Sequence, residues 1–156
     1  MPNKIIKDGK IIDNYWHLVT HANIAEGQSM VPLQIYLEHP DQQHRLGVCL
    51  ENEIELEAIA AQVLKAPLIA IEFPVFTDGR GFSLARLLRQ RYNYEGEIRA
   101  VGHVIRDQLC YLQRCGFNAF ELAEGVDLKE AAASLQDFSE FYQGASDQPL
   151  PLFKRR

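Results

Sequence analysis

From Arg45 onward, short apolar runs alternate with stretches whose apolar residues return at helical spacing, and this rhythm restricts the fold more than any other feature. Leu46-Gly47-Val48-Cys49-Leu50 predicts a buried strand. Asn52 and Glu55 resemble a capping signal, and Leu56, Ile59, Ala60 and Val63 then mark a helix that Pro67 ends. Leu68 to Ile71 predicts a second strand, closing near Glu72-Phe73-Pro74, with Leu84, Leu87 and Leu88 in the helix behind it. Ile98 to Val101 reads as a third strand. Ile105, Leu109 and Leu112 stripe the next helix, which stops at Gly116 with Phe117 placed against Leu112. Ala119 to Leu122 is a fourth strand. Asp127 and Glu130 cap a last helix with a buried face of Leu128, Ala132, Leu135, Phe138 and Tyr142.

Four strand–helix units in succession predict an α/β chain with a parallel sheet and right-handed crossovers. Two architectures satisfy the pattern. The favoured one is an open sheet flanked by helices; the other is a half-barrel, whose open edges must pair or be covered. Ahead of these units, Ile5-Ile6 and Ile11-Ile12 flank Lys7-Asp8-Gly9-Lys10, a strong hairpin signal. Residues 20–44 read as an irregular connection holding Gly27, Pro32, Pro40 and one apolar island from Leu33 to Leu37. The expected organisation is one domain over 1–156: a hairpin and irregular part at 1–44, a βα core at 45–143 and a loose tail at 144–156.

The chain's 47% hydrophobic and 24% charged residues suit a globular protein of 156 residues with a real core. No apolar run is long enough to cross a membrane, and the start lacks a secretory signal, so a cytoplasmic location is expected. Cys49, Cys110 and Cys115 form no C-x-x-C pair and read as idle or buried thiols. His17, His21, His39 and His44 lack metal-site spacing, so no metal is expected.

A net charge of −5 argues against general nucleic-acid binding, but the average hides an asymmetry. Seven of the ten arginines lie between Asp78 and Arg114: Arg80, Arg86, Arg89, Arg91, Arg99, Arg106 and Arg114. With four acids in the same stretch, the segment carries +3 and the remainder −8. Arginine's planar fork suits bidentate oxyanion contacts.

Ligands of parallel α/β domains bind where strands end and helices begin. That rule selects Glu51-Asn52, Thr77 to Ser83, Gly102-His103 and Glu121 to Asp127. Within the second, Gly79 and Gly81 permit close backbone approach, Ser83 can cap the helix, and Arg80 and Arg86 add charge. Thr77, Gly79, Arg80, Gly81, Ser83, Arg86, Arg99 and Arg106 are therefore the candidate anion- or partner-binding residues. The alternative is a tight turn whose arginines form surface ion pairs. Gly79-Arg80-Gly81 begins like a dinucleotide fingerprint, but Leu84 stands at the third glycine position and the Walker lysine is missing. No cofactor is expected. Catalytic candidates are Asp78, which would neighbour His103 if the second and third strands pair, and Asp107, one helical turn beyond His103.

The run Glu72-Phe73-Pro74-Val75-Phe76-Thr77-Asp78-Gly79-Arg80-Gly81-Phe82-Ser83 continues through Ala85-Arg86-Leu87-Leu88-Arg89 and Gly96-Glu97-Ile98-Arg99-Ala100-Val101-Gly102. Arg106-Asp107-Gln108-Leu109 and Arg114-Cys115-Gly116-Phe117 complete it. Over nearly its whole length, the chain resembles a bacterial family labelled as oxidoreductases of sulfite reduction, found beside assimilatory sulfite reductase genes. The family pattern favours aspartate where this chain has His103. The resemblance implies an auxiliary protein of sulfite reduction, binding sulfite reductase or a small oxyanion through the arginine surface. Alternatives are a small enzyme acting on an anionic metabolite, with Asp78 as base and Arg80, Arg86 and Arg99 orienting the substrate, or a flavin- or nicotinamide-dependent oxidoreductase.

Overall fold

The computed structural model describes residues 4–20, 28–74 and 79–135. Eight strands form one sheet: β1 (Lys4–Lys7), β2 (Lys10–Asp13), β3 (His17–Leu18), β4 (Ser29–Pro32), β5 (Gly47–Glu51), β6 (Leu68–Phe73), β7 (Glu97–Gly102) and β8 (Ala119–Phe120). Their spatial order is β2-β1-β8-β7-β6-β5-β4-β3. From β3 to β8 each strand lies parallel beside its successor, whereas β1 runs antiparallel to both β2 and β8. The sheet is open and strongly curled, a half-barrel.

This corrects the expectation of a purely parallel sheet. The N-terminal hairpin is no separate preface; its β1 pairs with β8 and closes one margin. The supposed irregular connection supplies β4 and α1 (Leu33–Glu38). Pro32 hid the strand because proline usually argues against one, yet here it is the last strand residue.

From β3 to β8 the connections step in one direction only. Right-handed crossovers that always step the same way deliver their helices to the same face. Alternate strand residues, among them Val48, Leu50, Ile69, Ile71, Phe73, Ile98, Ala100 and Phe120, form the main core there. They pack with Leu56 and Val63 of α2 (Leu56–Val63), Leu84 and Ala85 of α3 (Arg80–Arg86), and Leu109, Leu112 and Cys115 of α4 (Leu109–Cys115). Ala131 of α5 (Leu128–Ser134) completes this layer. The opposite face holds a smaller cluster of Met30, Leu68, Ala70 and Val101, against which Trp16 and Cys49 pack.

Several local signals act as the sequence predicts. Asp8 and Gly9 both have positive φ, as a two-residue hairpin turn requires. Gly116 takes φ +122° at the end of α4, and the Phe117 N–H donates to the Leu112 carbonyl at 3.1 Å. The Asp127 carboxylate accepts from the backbone N–H groups of Lys129 and Glu130. Other signals do not. Asn52 caps nothing, since α2 begins after Glu55, and Ser83 lies inside α3, whose N-cap is Gly79. Phe138, Tyr142 and the tail at 144–156 lie outside the described residues.

Gly102 ends β7 with φ +90°, where a β-carbon would sit 2.6 Å from the Phe73 carbonyl oxygen. Gly125 has φ +87°, but a β-carbon there meets nothing within 4 Å. Gly102→Ala is therefore expected to destabilise by clearly more than about 1 kcal/mol, the scale of the backbone penalty alone. Gly125→Ala should show only that penalty. Urea midpoints of the two variants measure the difference.

Candidate functional site

The face of the sheet that receives none of the described helices carries several charged side chains. Strand alternation turns Glu97, Arg99 and Val101 of β7 toward it, and Arg99 is only 1% exposed. Its Nε donates to Glu97 Oε1 at 2.8 Å and its Nη1 to Asn14 Oδ1 at 2.9 Å, with Glu121 Oε1 at 3.6 Å. Asn14 Nδ2 in turn donates to Glu121 Oε1 at 3.0 Å, and Lys7 Nζ reaches Glu97 Oε2 at 3.1 Å. Two cations and two carboxylates thus balance across β1, β7 and the end of β8. Burial raises the Glu121 pKa above the ordinary glutamate value, and the Arg99 charge offsets part of that rise.

The other arginines occupy separate settings. Arg80 pairs with Glu53 at 2.8 Å, Arg106 with Glu130 at 2.7 Å, and Arg91 with Glu57, all at exposed positions. Arg89 donates to the carbonyls of Gly116, Tyr94 and Gly96 at 2.9, 2.7 and 2.8 Å, and to Asn118 Oδ1 at 3.4 Å. Arg86 lies over the Tyr111 ring, 5.7 Å from its centroid, and donates to the Tyr111 hydroxyl at 3.3 Å. Phe82 contacts the same ring at 4.9 Å.

The remaining candidates divide as follows. Gly81 lies against Phe73, where a β-carbon would come within 2.7 Å of the ring. Gly79 and Ser83 belong to the exposed start of α3. Thr77 and Asp78 lie outside the described residues. His103 follows β7, and its N–H donates to the Phe73 carbonyl at 2.7 Å, so the pairing of the second and third βα-unit strands holds. Asp107 lies in a 3₁₀ turn at Arg106–Gln108 that begins after Ile105. No helical turn therefore spans His103 and Asp107, and their i, i+4 spacing does not place them on one helix face.

A cavity lies instead at the ends of β5 and β6. Glu51 and Glu72 are direct partners in the parallel register and share the helix-free face. With Asn52, Glu53 and Pro74 they line about 310 Å³. A neighbouring cavity of about 390 Å³ shares both glutamates and adds Leu18, Pro32, Leu33, Cys49 and Ile54. Burial pushes the Cys49 thiol up to about 12, helped by the carboxylates of Glu72, Glu121 and Glu51. That shift favours the protonated thiol over the nucleophilic thiolate. The strand-end rule had selected Glu51-Asn52 but not Glu72. The available signal was an exposed charged residue near the end of an otherwise buried apolar strand.

Among the described residues, no group of three or more His, Cys, Asp or Glu is placed to hold a metal ion. No described helix is long and apolar enough to cross a membrane. Residues 47–153 match a family described as bacterial proteins of unknown function (DUF934), and the chain belongs to that family. No curated protein and no solved structure matches it significantly.

Arg99→Met would leave Glu97 and Glu121 buried without their guanidinium. The expected loss is about 3–5 kcal/mol, measured by chemical denaturation. Glu121 predicts a pH signature as well. Its raised pKa means that the folded chain holds the proton more tightly, a contribution fully present below the ordinary glutamate range and lost as pH rises through the raised value. Glu121→Gln should remove that downward slope, so the variant's stability profile runs flatter across the same window.

Proposed function

We propose that this protein is an auxiliary component of assimilatory sulfite reduction that docks onto an acidic surface of a partner reductase through α3 and α4. The observation that carries the reading is the cluster of Arg86, Tyr111 and Phe82. Arg86 has no carboxylate partner among the described residues, and Tyr111 beneath it is 48% exposed. Tyrosine and arginine anchors of this kind concentrate binding energy at protein interfaces. Arg80, Arg91 and Arg106 already have exposed acidic partners, and Arg99 is sealed beneath the surface. Those placements favour docking over an oxyanion held by converging arginines. The sulfur setting rests on the sequence likeness described above, and the absence of a complete dinucleotide or Walker motif favours an auxiliary role.

Biolayer interferometry with the sulfite reductase of the same bacterium tests this. Binding should be saturable and weaken with salt, as charge-assisted docking requires. Arg86→Ala and Tyr111→Ala should each weaken it by about tenfold or more, on the order of 1.4 kcal/mol. No association at low salt, or undiminished binding by both variants, would refute the reading.

A further inference from the structure

The strand-end cavity brings two carboxylates together. Several acids elsewhere have basic partners: Glu53 has Arg80, Glu57 has Arg91, Glu97 has Arg99 and Lys7, and Glu130 has Arg106. Glu51 and Glu72 sit side by side on adjacent parallel strands, and neither has an ion-pair partner among the described residues. Both side chains are exposed, and like charges at directly paired positions repel, so together they make the strand ends negative and attractive to a cation.

A second observation comes from a different group. Asn52 lines the same cavity and is 6% exposed, yet its buried Nδ2 has no hydrogen-bond partner among the described residues. A buried donor left unmade is costly, and in native proteins such a group calls for an explanation. The two observations restrict the ligand jointly. The glutamates ask for positive charge, whereas the amide N–H asks for a lone pair. A bare metal ion answers only the first. A carboxylate would answer the second but would meet the repulsion of Glu51 and Glu72. A protonated amine with a neutral oxygen nearby answers both, and the apolar wall of Leu33, Pro32 and Ile54 in the adjoining cavity suits a short carbon skeleton.

We propose that the cleft at the ends of β5 and β6 binds a small organic amine, with Glu51 and Glu72 holding its ammonium group and Asn52 donating to a neutral carbonyl or hydroxyl oxygen. This site is separate from the Arg86–Tyr111 surface, and its test does not depend on any reductase.

Glycinamide supplies the two groups at minimal size; N-acetylglycinamide keeps the carbonyl and removes the charge. Amide NMR of the full chain at pH 7 and low salt should show saturable shifts with glycinamide, including the Asn52 side-chain amide. Dissociation constants of about 1–10 mM suit so small a probe. Glu51→Gln and Glu72→Gln, which preserve shape, should each weaken glycinamide by about tenfold or more. Asn52→Leu should bring glycinamide down to the affinity of ethylamine; should that variant fail to fold, the wild-type Asn52 resonance provides the same information. Equal binding of N-acetylglycinamide would overturn the proposal. So would indifference to the glutamine variants, saturation by magnesium chloride but by no amine, or no saturation up to about 100 mM glycinamide.

Discussion

Between β3 and β8 the chain adds each strand on the same side of the last, and the unreversed direction of those steps determines much else in the molecule. Right-handed connections then stack their helices over one face, where the apolar side chains of β5, β6 and β7 are buried as a continuous layer. Among the described residues the other face receives no crossover helix. It must be covered by whatever chain is left, and Asn14 to Trp16 do that work. Gly47 makes room, since a β-carbon there would press within 3.3 Å of the Trp16 ring. A doubly wound sheet would have offered a crevice where the strand order reverses. From β3 to β8 there is no reversal, and the cavity lined by Glu51 and Glu72 lies at the ends of two adjacent strands instead.

That face also explains the distribution of charge. Where Asn14 and β1 approach, the ionic groups are satisfied: Arg99 joins Glu97, Glu121 and Asn14 in one connected set, with Lys7 attached through Glu97. Several links in this set join residues far apart in sequence, so it forms only when the N-terminal segment has returned to β7 and β8. Buried ion pairs add little net stability against an apolar alternative, but they penalise a wrong partner severely. Here they reject any arrangement in which the N-terminal chain covers the sheet in another register. Nearer β5 and β6 the carboxylates of Glu51 and Glu72 have no comparable counter-charges among the described residues.

What could be read in the sequence was what local chemistry decides. The Asp8-Gly9 turn, the Gly116 helix ending and the Asp127 cap each depend on a few adjacent residues, and each stands where those residues place it. The four core strands were legible for a similar reason, because β-branched and other apolar runs bounded by proline or glycine leave few alternatives. The two-residue β3 has too little pattern to recognise, and β4 ends in the proline that disguises it. Arg99 looked like a ligand-binding residue because one of its counter-ions, Glu121, lies twenty-two positions away and the other, Glu97, is shared with a hairpin lysine. Asn52 had the composition of a cap, but the helix started later and drew it inside. The partnership of Glu51 with Glu72 is a fact of strand register, which no single-strand pattern contains.

Arg89 has a consequence for motion. One guanidinium grips the turn before β7, through Tyr94 and Gly96, and the turn before β8, through Gly116 and Asn118. Asn118 Oδ1 also accepts from the Ile98 N–H at 2.8 Å, so the two turns are tied twice. Neither can fray alone without breaking bonds that hold the other. Two successive units that might open as separate cooperative blocks are thereby fused into one, and their backbone amides should exchange with solvent on a common timescale.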